Sequence, residues 1–339
     1  MSALGPLIVG IDGLSLDAVS RERLQHPHVG GVILFARNVQ SPAQLKALCA
    51  EIKALRDPPL LISVDQEGGR VQRLKTQFTP LPPLGLLGRW YSRFPDRALD
   101  LAYRHGRVMA SEVLACGVDW SWAPVLDLNG VSEVIGDRAM SDDPDAVVAL
   151  GQYYIAGMRD AGMVACAKHY PGHGSVKADT HTHQAVDDRP TEALWRDEAP
   201  FRALVNSVAL VMMSHVVYPA VSGQPAGFSS TWIRSRLRDV LHFTGLVVSD
   251  DLDMVGAHVA GDLIGRLSAA FEAGCDLVLV CDPQSVDQVL TYGGAWPQPP
   301  PAAMAQLVGQ AMLSWDEQMQ VSEFRFWRQS LAQLAEESK

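Results

Sequence analysis

Eight short runs rich in Val, Ile and Leu punctuate the chain: LIVGID (7–12), GGVILFA (30–36), LLISVD (60–65), VDWSWAP (118–124), MVACAKH (163–169), LVMMSHV (210–216), LVVSDD (246–251) and DLVLVCD (276–282). Their apolarity is continuous rather than alternating, which requires both faces to be buried, as in a parallel sheet covered by helices. Helical patterns lie between them. Ser41 is placed to cap, Pro42 takes the first helical position, and Leu45, Leu48, Cys49, Ile52 and Leu55 form one apolar stripe. Asp143 and Pro144 open a second stretch in which Val147, Leu150, Tyr154 and Met158 share a face, with Gly162 as its stop. Eight β units joined by helices predict an α/β fold, a (β/α)₈ barrel of TIM type. The rival is a doubly wound dinucleotide fold, but the first run leads into GIDGLSLDA rather than GxGxxG, and no Walker sequence occurs. The Pro-rich WPQPPPAAM (296–304) is the one compositional break, and the chain beyond it is too short for a second domain. The expectation is a single catalytic barrel over 1–339, with a helical extension from about 302.

Composition narrows the function more than the fold. The 339 residues are 47% hydrophobic and 19% charged, ordinary globular usage. A net charge of −10 with no run of Lys or Arg gives no surface for tracking phosphates, so nucleic acid is not the expected partner and a small or neutral substrate is. Cys49, Cys116, Cys166, Cys275 and Cys281 lie in apolar stretches without a CxxC, which reads as reduced and buried. The N-terminal MSALGPLIVGIDG lacks a basic region followed by a long apolar one, and no stretch of about 18 apolar residues could span a bilayer. A soluble, cytoplasmic monomer with no membrane partner is the expectation.

Chemistry in a barrel of this kind gathers at the C-terminal ends of the strands. The polar residues ending the apolar runs are Asp12, Asp65, Lys168 with His169, His215, Asp250 with Asp251, and Asp282. Any one Asp there, taken alone, reads more readily as a helix cap or turn former. Six runs ending this way point to a polar mouth, and Asp250, following Val247, Val248 and Ser249, should face it. The segment KHYPGHGSVKADTHTH (168–183) then gathers four histidines and Asp179 in one long loop, of a length more often functional than idle. Three readings stay open: His169, His173, His181 and His183 as metal ligands; solvated loop residues; or acid/base catalysis, with Asp179 orienting His181 and favouring its protonated form.

VDQEGGRVQR (64–73), SWAPVLDLN (121–129), VIGDRAM (134–140), AKHYPGHG with ADTH (167–181) and VVSDDLDMVGA (247–257) resemble the blocks of family 3 glycoside hydrolases, in the β-N-acetylglucosaminidase branch of bacterial cell-wall recycling. The resemblance implies a retaining, two-step exo-hydrolase. It makes Asp250 the nucleophile, His181 the general acid/base and Asp179 its dyad partner. Asp65, Arg73, Arg138, Lys168 and His169 would hydrogen-bond the terminal N-acetylglucosamine. The implied substrate is an N-acetylglucosaminyl-β-1,4-anhydro-N-acetylmuramic acid fragment, a small saccharide or muropeptide, and no cofactor is implied. Retaining hydrolysis sets a carboxylate about 5 Å from a proton donor. An imidazole, with an ordinary pKa of about 6.5, can donate and then accept near neutral pH without adding a second negative charge.

Thr180 departs from the Ser common between the dyad partners, and Ser175 and Val176 replace an Asp-Thr often found after PGHG. Asp251, next to the implied nucleophile, reads with Asp253 as a polar start to the next helix. The alternatives are a β-glucosidase, β-xylosidase or phosphorylase of the same family, a metal-dependent hydrolase using the loop histidines, or a sugar-binding barrel without turnover.

Overall fold

The computed structural model describes residues 3–177, 184–292 and 294–338. Eight parallel strands form one sheet: β1 (Leu7–Gly10), β2 (Val29–Leu34), β3 (Leu61–Val64), β4 (Trp120–Ser121), β5 (Cys166–Tyr170), β6 (Leu210–Met213), β7 (Leu246–Asp251) and β8 (Leu277–Val280). Neighbours run β4-β3-β2-β1-β8-β7-β6-β5, with registers such as Leu7 opposite Val278 and Leu246 opposite Leu210. A parallel bridge between Val125 and Lys168 joins the two outer strands and closes the barrel. Cys166 N donates to Ala123 O and Leu126 N to Lys168 O, both at 2.8 Å, along that seam. The predicted run 118–124 supplies only two ladder residues, because Pro124 has no N–H to give and interrupts the pairing until Val125.

The helices around the barrel are α1 (Ala18–Gln25), α2 (Pro42–Lys53), α3 (Pro95–Ala115), α4 (Pro144–Ala161), α5 (Thr191–Leu204), a π-type segment Thr231–Val240, α6 (Leu263–Ala273) and α7 (Pro283–Leu290). Their ends follow the sequence chemistry. Ser41 Oγ accepts from Gln44 N at 3.2 Å, and Leu45, Leu48, Cys49 and Ile52 of α2 are buried. Asp143 caps α4, and Gly162 stops it at φ 94°, where a Cβ would also meet Gln310 O at 2.1 Å. The five cysteines are free and buried. Among the described residues no helix is long and apolar enough to cross a membrane.

The aspartates at and just beyond the strand ends include several with local duties. Asp282 caps α7 by accepting from Gln284 N at 2.9 Å, and Asp12 is an exposed carboxylate 3.6 Å from Arg37. Asp253 does not start a helix as its sequence position suggests: its Oδ2 accepts from Asp282 N at 2.9 Å, and Asp251 Oδ1 accepts from Cys281 N at 3.1 Å. These carboxylates lace the mouth of β7 to the end of β8, and Asp262 caps α6 instead.

After the Pro-rich connector the chain returns in α8 (Ser322–Glu337), which contacts α3. Arg328 Nε donates to Glu112 Oε1 at 2.6 Å and to Thr79 Oγ1 at 2.8 Å, while Nη2 donates to Gln77 O at 2.9 Å. Glu112 is fully buried, and burial pushes its carboxyl pKa up in spite of Arg328. Arg328→Met is expected to cost about 2–3 kcal/mol in urea unfolding. That lies below the usual penalty for an orphaned buried charge because Glu112 can escape by protonation.

Candidate active site

Directly after β3 the chain makes a small antiparallel hairpin, Gln66–Gly68 against Val71–Gln72. Its tip needs left-handed backbone at Gly68 (φ 103°) and Gly69 (φ 54°), and a Cβ on Gly68 would lie 2.6 Å from Pro82 O. The hairpin folds Glu67, Arg70 and Arg73 over the C-terminal mouth of the barrel, where they wall a cavity of about 250 Å³. Ile33, Met212, Leu279 and Trp122 supply apolar lining. Asp65, Arg73, Arg138, Lys168, His169 and Asp250 all line this same cavity. Lys168 and His169 are consecutive, the peptide between them is cis, and both side chains reach the cavity wall.

A dense charge network sets these groups. Lys168 Nζ donates to Asp65 Oδ1 at 2.8 Å and lies 2.6 Å from Glu67 Oε1. Arg138 engages Glu67 as a fork, Nε to Oε2 at 2.8 Å and Nη2 to Oε1 at 2.9 Å. Arg73 stands 4.0 Å from Asp65. Burial opposes the charge on Glu67, but Arg138 and Lys168 outweigh it and hold the carboxyl far below its ordinary range. Burial likewise works against Lys168, and Asp65 and Glu67 keep its pKa raised.

His169 is held from behind. Its Nδ1 lies 2.7 Å from Asp127 Oδ2, and the same carboxylate accepts from the backbone N–H of His169 at 3.2 Å and of His173 at 2.8 Å. A carboxylate on Nδ1 fixes the ring's orientation and leaves Nε2 for other partners. Asp250, the penultimate residue of β7, stands beside these groups. Burial would raise its pKa, but the imidazoles of His169 and His215, the N–H of Asp251 at 2.8 Å and the Lys168 ammonium lower it. An ionised carboxylate in a shaped, partly apolar cavity lined with fixed donors is equipped to attack an electrophilic carbon.

Its neighbour behaves oppositely. Burial, then the charges of Asp253 and Asp250, push Asp251 up to about 7. A folded pKa above the unfolded one means that the native state holds the extra proton between the ordinary aspartate value, about 4, and about 7. Stability should therefore fall as the pH rises through that window, and Asp251→Asn should flatten the slope in urea titrations run at several pH values.

Asp179 and His181 lie outside the described residues, as does His183. Among the described residues no group of three or more His, Cys, Asp or Glu is arranged to hold a metal ion. Two buried carboxylates that organise the site, Glu67 and Asp127, are not singled out by the sequence pattern. The signal they do carry is slight: Glu67 precedes Gly-Gly, and Asp127 interrupts an apolar run, where a charge must find partners.

Residues 8–295 match the family model described as "Glycosyl hydrolase family 3 N terminal domain". The chain belongs to glycoside hydrolase family 3. As a family 3 member it is 52% identical over 311 residues to a protein of Thiobacillus denitrificans named Beta-hexosaminidase, covering 90% of this chain and 87% of that protein. A Beta-hexosaminidase of Alkalilimnicola ehrlichii is also 52% identical, over 309 residues, covering 90% of this chain and 88% of the relative. The crystal structure of NagZ from Neisseria gonorrhoeae in complex with N-trifluoroacetyl-D-glucosamine superposes with a TM-score of 0.92 at 41% identity, covering 98% of both chains. The family 3 barrel is thus shared over nearly the whole length, and the chain is an enzyme, a glycoside hydrolase.

Proposed function

We propose that this family 3 enzyme is a retaining exo-β-N-acetylglucosaminidase that removes terminal N-acetylglucosamine from β-1,4-linked anhydro-N-acetylmuramic acid fragments during cell-wall recycling. It acts as a cytoplasmic monomer on a small saccharide or muropeptide, without a cofactor. One observation carries the reading: the Asp250 carboxylate shares a single cavity of about 250 Å³ with Asp65, Arg73, Arg138, Lys168 and His169, a donor and acceptor set suited to one pyranose. The β-hexosaminidase names of the relatives, and the N-acylated glucosamine bound to the gonococcal protein, support an N-acetylated sugar there. The barrel and its helical extension from about 302 form one catalytic unit in this reading.

Asp250 attacks the anomeric carbon as the glycosidic C–O bond breaks, and His181, oriented by Asp179, protonates the departing oxygen. The product is a glycosyl ester of Asp250. Water, deprotonated by His181, then displaces Asp250 and releases the sugar with its original configuration.

The test compares kcat/KM on nitrophenyl β-N-acetylglucosaminide and β-glucoside, with a preference of about 100-fold or more for the former expected. A slow fluoroglycoside should label Asp250 in the digested protein. Preference for the glucoside would overturn the sugar assignment, and a label on another residue would overturn the nucleophile. Accumulation of sugar 1-phosphate in phosphate buffer would replace water by phosphate as acceptor.

A further inference from the structure

The backbone that carries Asp250 is held by a buried histidine that the glycosidase chemistry does not use. The pairing of β7 with β6 ends at Val248 opposite Met212, two residues short of Asp250. On the other side the register with β8 shifts between Val248 and Asp251, where Ser249 Oγ accepts from Leu279 N at 3.2 Å. Asp250 therefore stands on an irregular stretch at the end of its strand, and its aim depends on contacts other than the regular ladder.

His215 follows β6 by two residues and supplies one such contact. It is fully buried, and its Nε2 lies 3.1 Å from the carbonyl oxygen of Asp251. A carbonyl oxygen only accepts, so Nε2 carries the hydrogen. The same oxygen accepts from Met254 N at 3.2 Å. At its other end the Asp251 peptide unit reaches the nucleophile itself, because Asp251 N donates to Asp250 Oδ1 at 2.8 Å. His215 Nδ1 is buried and has no hydrogen-bond partner among the described residues. A Cβ on Gly227 would lie 3.6 Å from it, and the ring packs on Phe228 with centroids 5.4 Å apart. Burial lowers the pKa of His215, with His169 acting the same way, while the Asp250 charge and the backbone of Asp251 and Asp250 oppose the shift. A second proton, on Nδ1, would be buried without an acceptor, so the ring is a neutral donor with one orientation. It does not line the cavity, and its influence on the reaction runs through Asp251 and Asp250.

We propose that His215 is a positioning residue for the glycosidase reaction: its Nε2–H holds the Asp251 carbonyl and so fixes the residue whose own N–H aims the Asp250 carboxylate. This rests on the assignment of Asp250 as the nucleophile of the proposed function. The expected size follows from the sensitivity of attack to placement, since a displacement of about 1 Å costs on the order of 100-fold.

The experiment uses the full chain and measures kcat/KM on nitrophenyl β-N-acetylglucosaminide, the rate at which a slow fluoroglycoside labels the protein, and the inhibition constant of N-acetylglucosamine. His215→Leu removes the donor. His215→Gln sets an amide N–H as many bonds from the backbone as Nε2, whereas His215→Asn sets one at the reach of Nδ1. In His215→Leu, kcat/KM and the labelling rate should both fall by about 100-fold, with the inhibition constant of N-acetylglucosamine within about 3-fold of wild type. His215→Gln should recover both rates to within about 10-fold of wild type, and His215→Asn should not. A merely structural role makes all the variants fall alike and weakens N-acetylglucosamine with them; that pattern, or a near-normal labelling rate in His215→Leu, would overturn the proposal. If His215→Leu does not fold, the contrast between His215→Gln and His215→Asn carries the same test. The labelled peptide separates the two ideas. A wild-type label on a residue other than Asp250 removes the nucleophile assignment and this proposal with it, whereas a label on Asp250 at equal rates in wild type and His215→Leu defeats this proposal alone.

Discussion

Asp250→Ala is expected to lower kcat on nitrophenyl β-N-acetylglucosaminide by about 10⁴-fold or more, on the order of 5 kcal/mol of transition-state stabilisation. The nitrophenolate leaves without help from a proton, so the whole loss would report the missing nucleophile rather than impaired acid catalysis. The geometry favours this residue over its neighbour. Asp250 is held ionised by the imidazoles of His169 and His215, the Asp251 N–H and Lys168, whereas Asp251 is pushed up to about 7 and spends Oδ1 on the Asp253 and Cys281 N–H groups. Asp251→Ala should therefore lose less activity and more stability. Azide offers a further discrimination. In Asp250→Ala it can occupy the space of the lost carboxylate and attack directly, giving the glycosyl azide of inverted configuration. Near-normal turnover in Asp250→Ala, with Asp251→Ala inactive, would exchange the two roles.

The barrel was legible because its strands are buried on both faces, and a run such as LVLV in β8 admits few other readings. Helix ends were legible for a local reason: Ser41, Asp143 and Gly162 act on backbone groups within a few residues of themselves. The hairpin after β3 was not. Its strands are two and three residues long, too short for any periodicity, and it exists because Gly68 and Gly69 take a backbone that other residues avoid. The site divides along the same line. The strand-end rule found Asp65, Lys168, His169 and Asp250, but it also gathered Asp12 and Asp282, which lie one step beyond the mouth, where a capping or surface role takes over. Arg73 and Arg138 came through the family resemblance, since neither ends a strand. Glu67 and Asp127 were invisible because their meaning lies in partners 71 and 42 residues away, and no local pattern encodes such pairing.

Glu67→Gln tests how much of the site depends on one such unseen residue. The substitution preserves shape and removes one charge between two buried cations. Lys168 would keep its hydrogen bond to Asp65 and Arg138 its bond to the backbone carbonyl of Val134, but the amide oxygen left at position 67 would offer both cations an acceptor without a charge. Removing one member of a buried ionic cluster orphans the others, so a loss of about 3 kcal/mol in urea unfolding at pH 7 is expected. The sign of the pH dependence follows from the depressed carboxyl. Because Glu67 titrates lower in the folded state than its unfolded value of about 4.3, its contribution is complete above that value and is lost as the pH falls toward the folded one. The gap in stability between the wild type and Glu67→Gln should therefore close in acid and be widest at neutral pH. Activity supplies the second readout. Arg138 and Lys168 face the same cavity as Asp250, and a displacement of about 1 Å in them should lower kcat/KM by about 100-fold. A variant with the stability loss but normal kcat/KM would confine Glu67 to holding the hairpin against the barrel. Loss of both would make the Glu67 carboxylate the template on which the sugar-facing cations are set before substrate arrives.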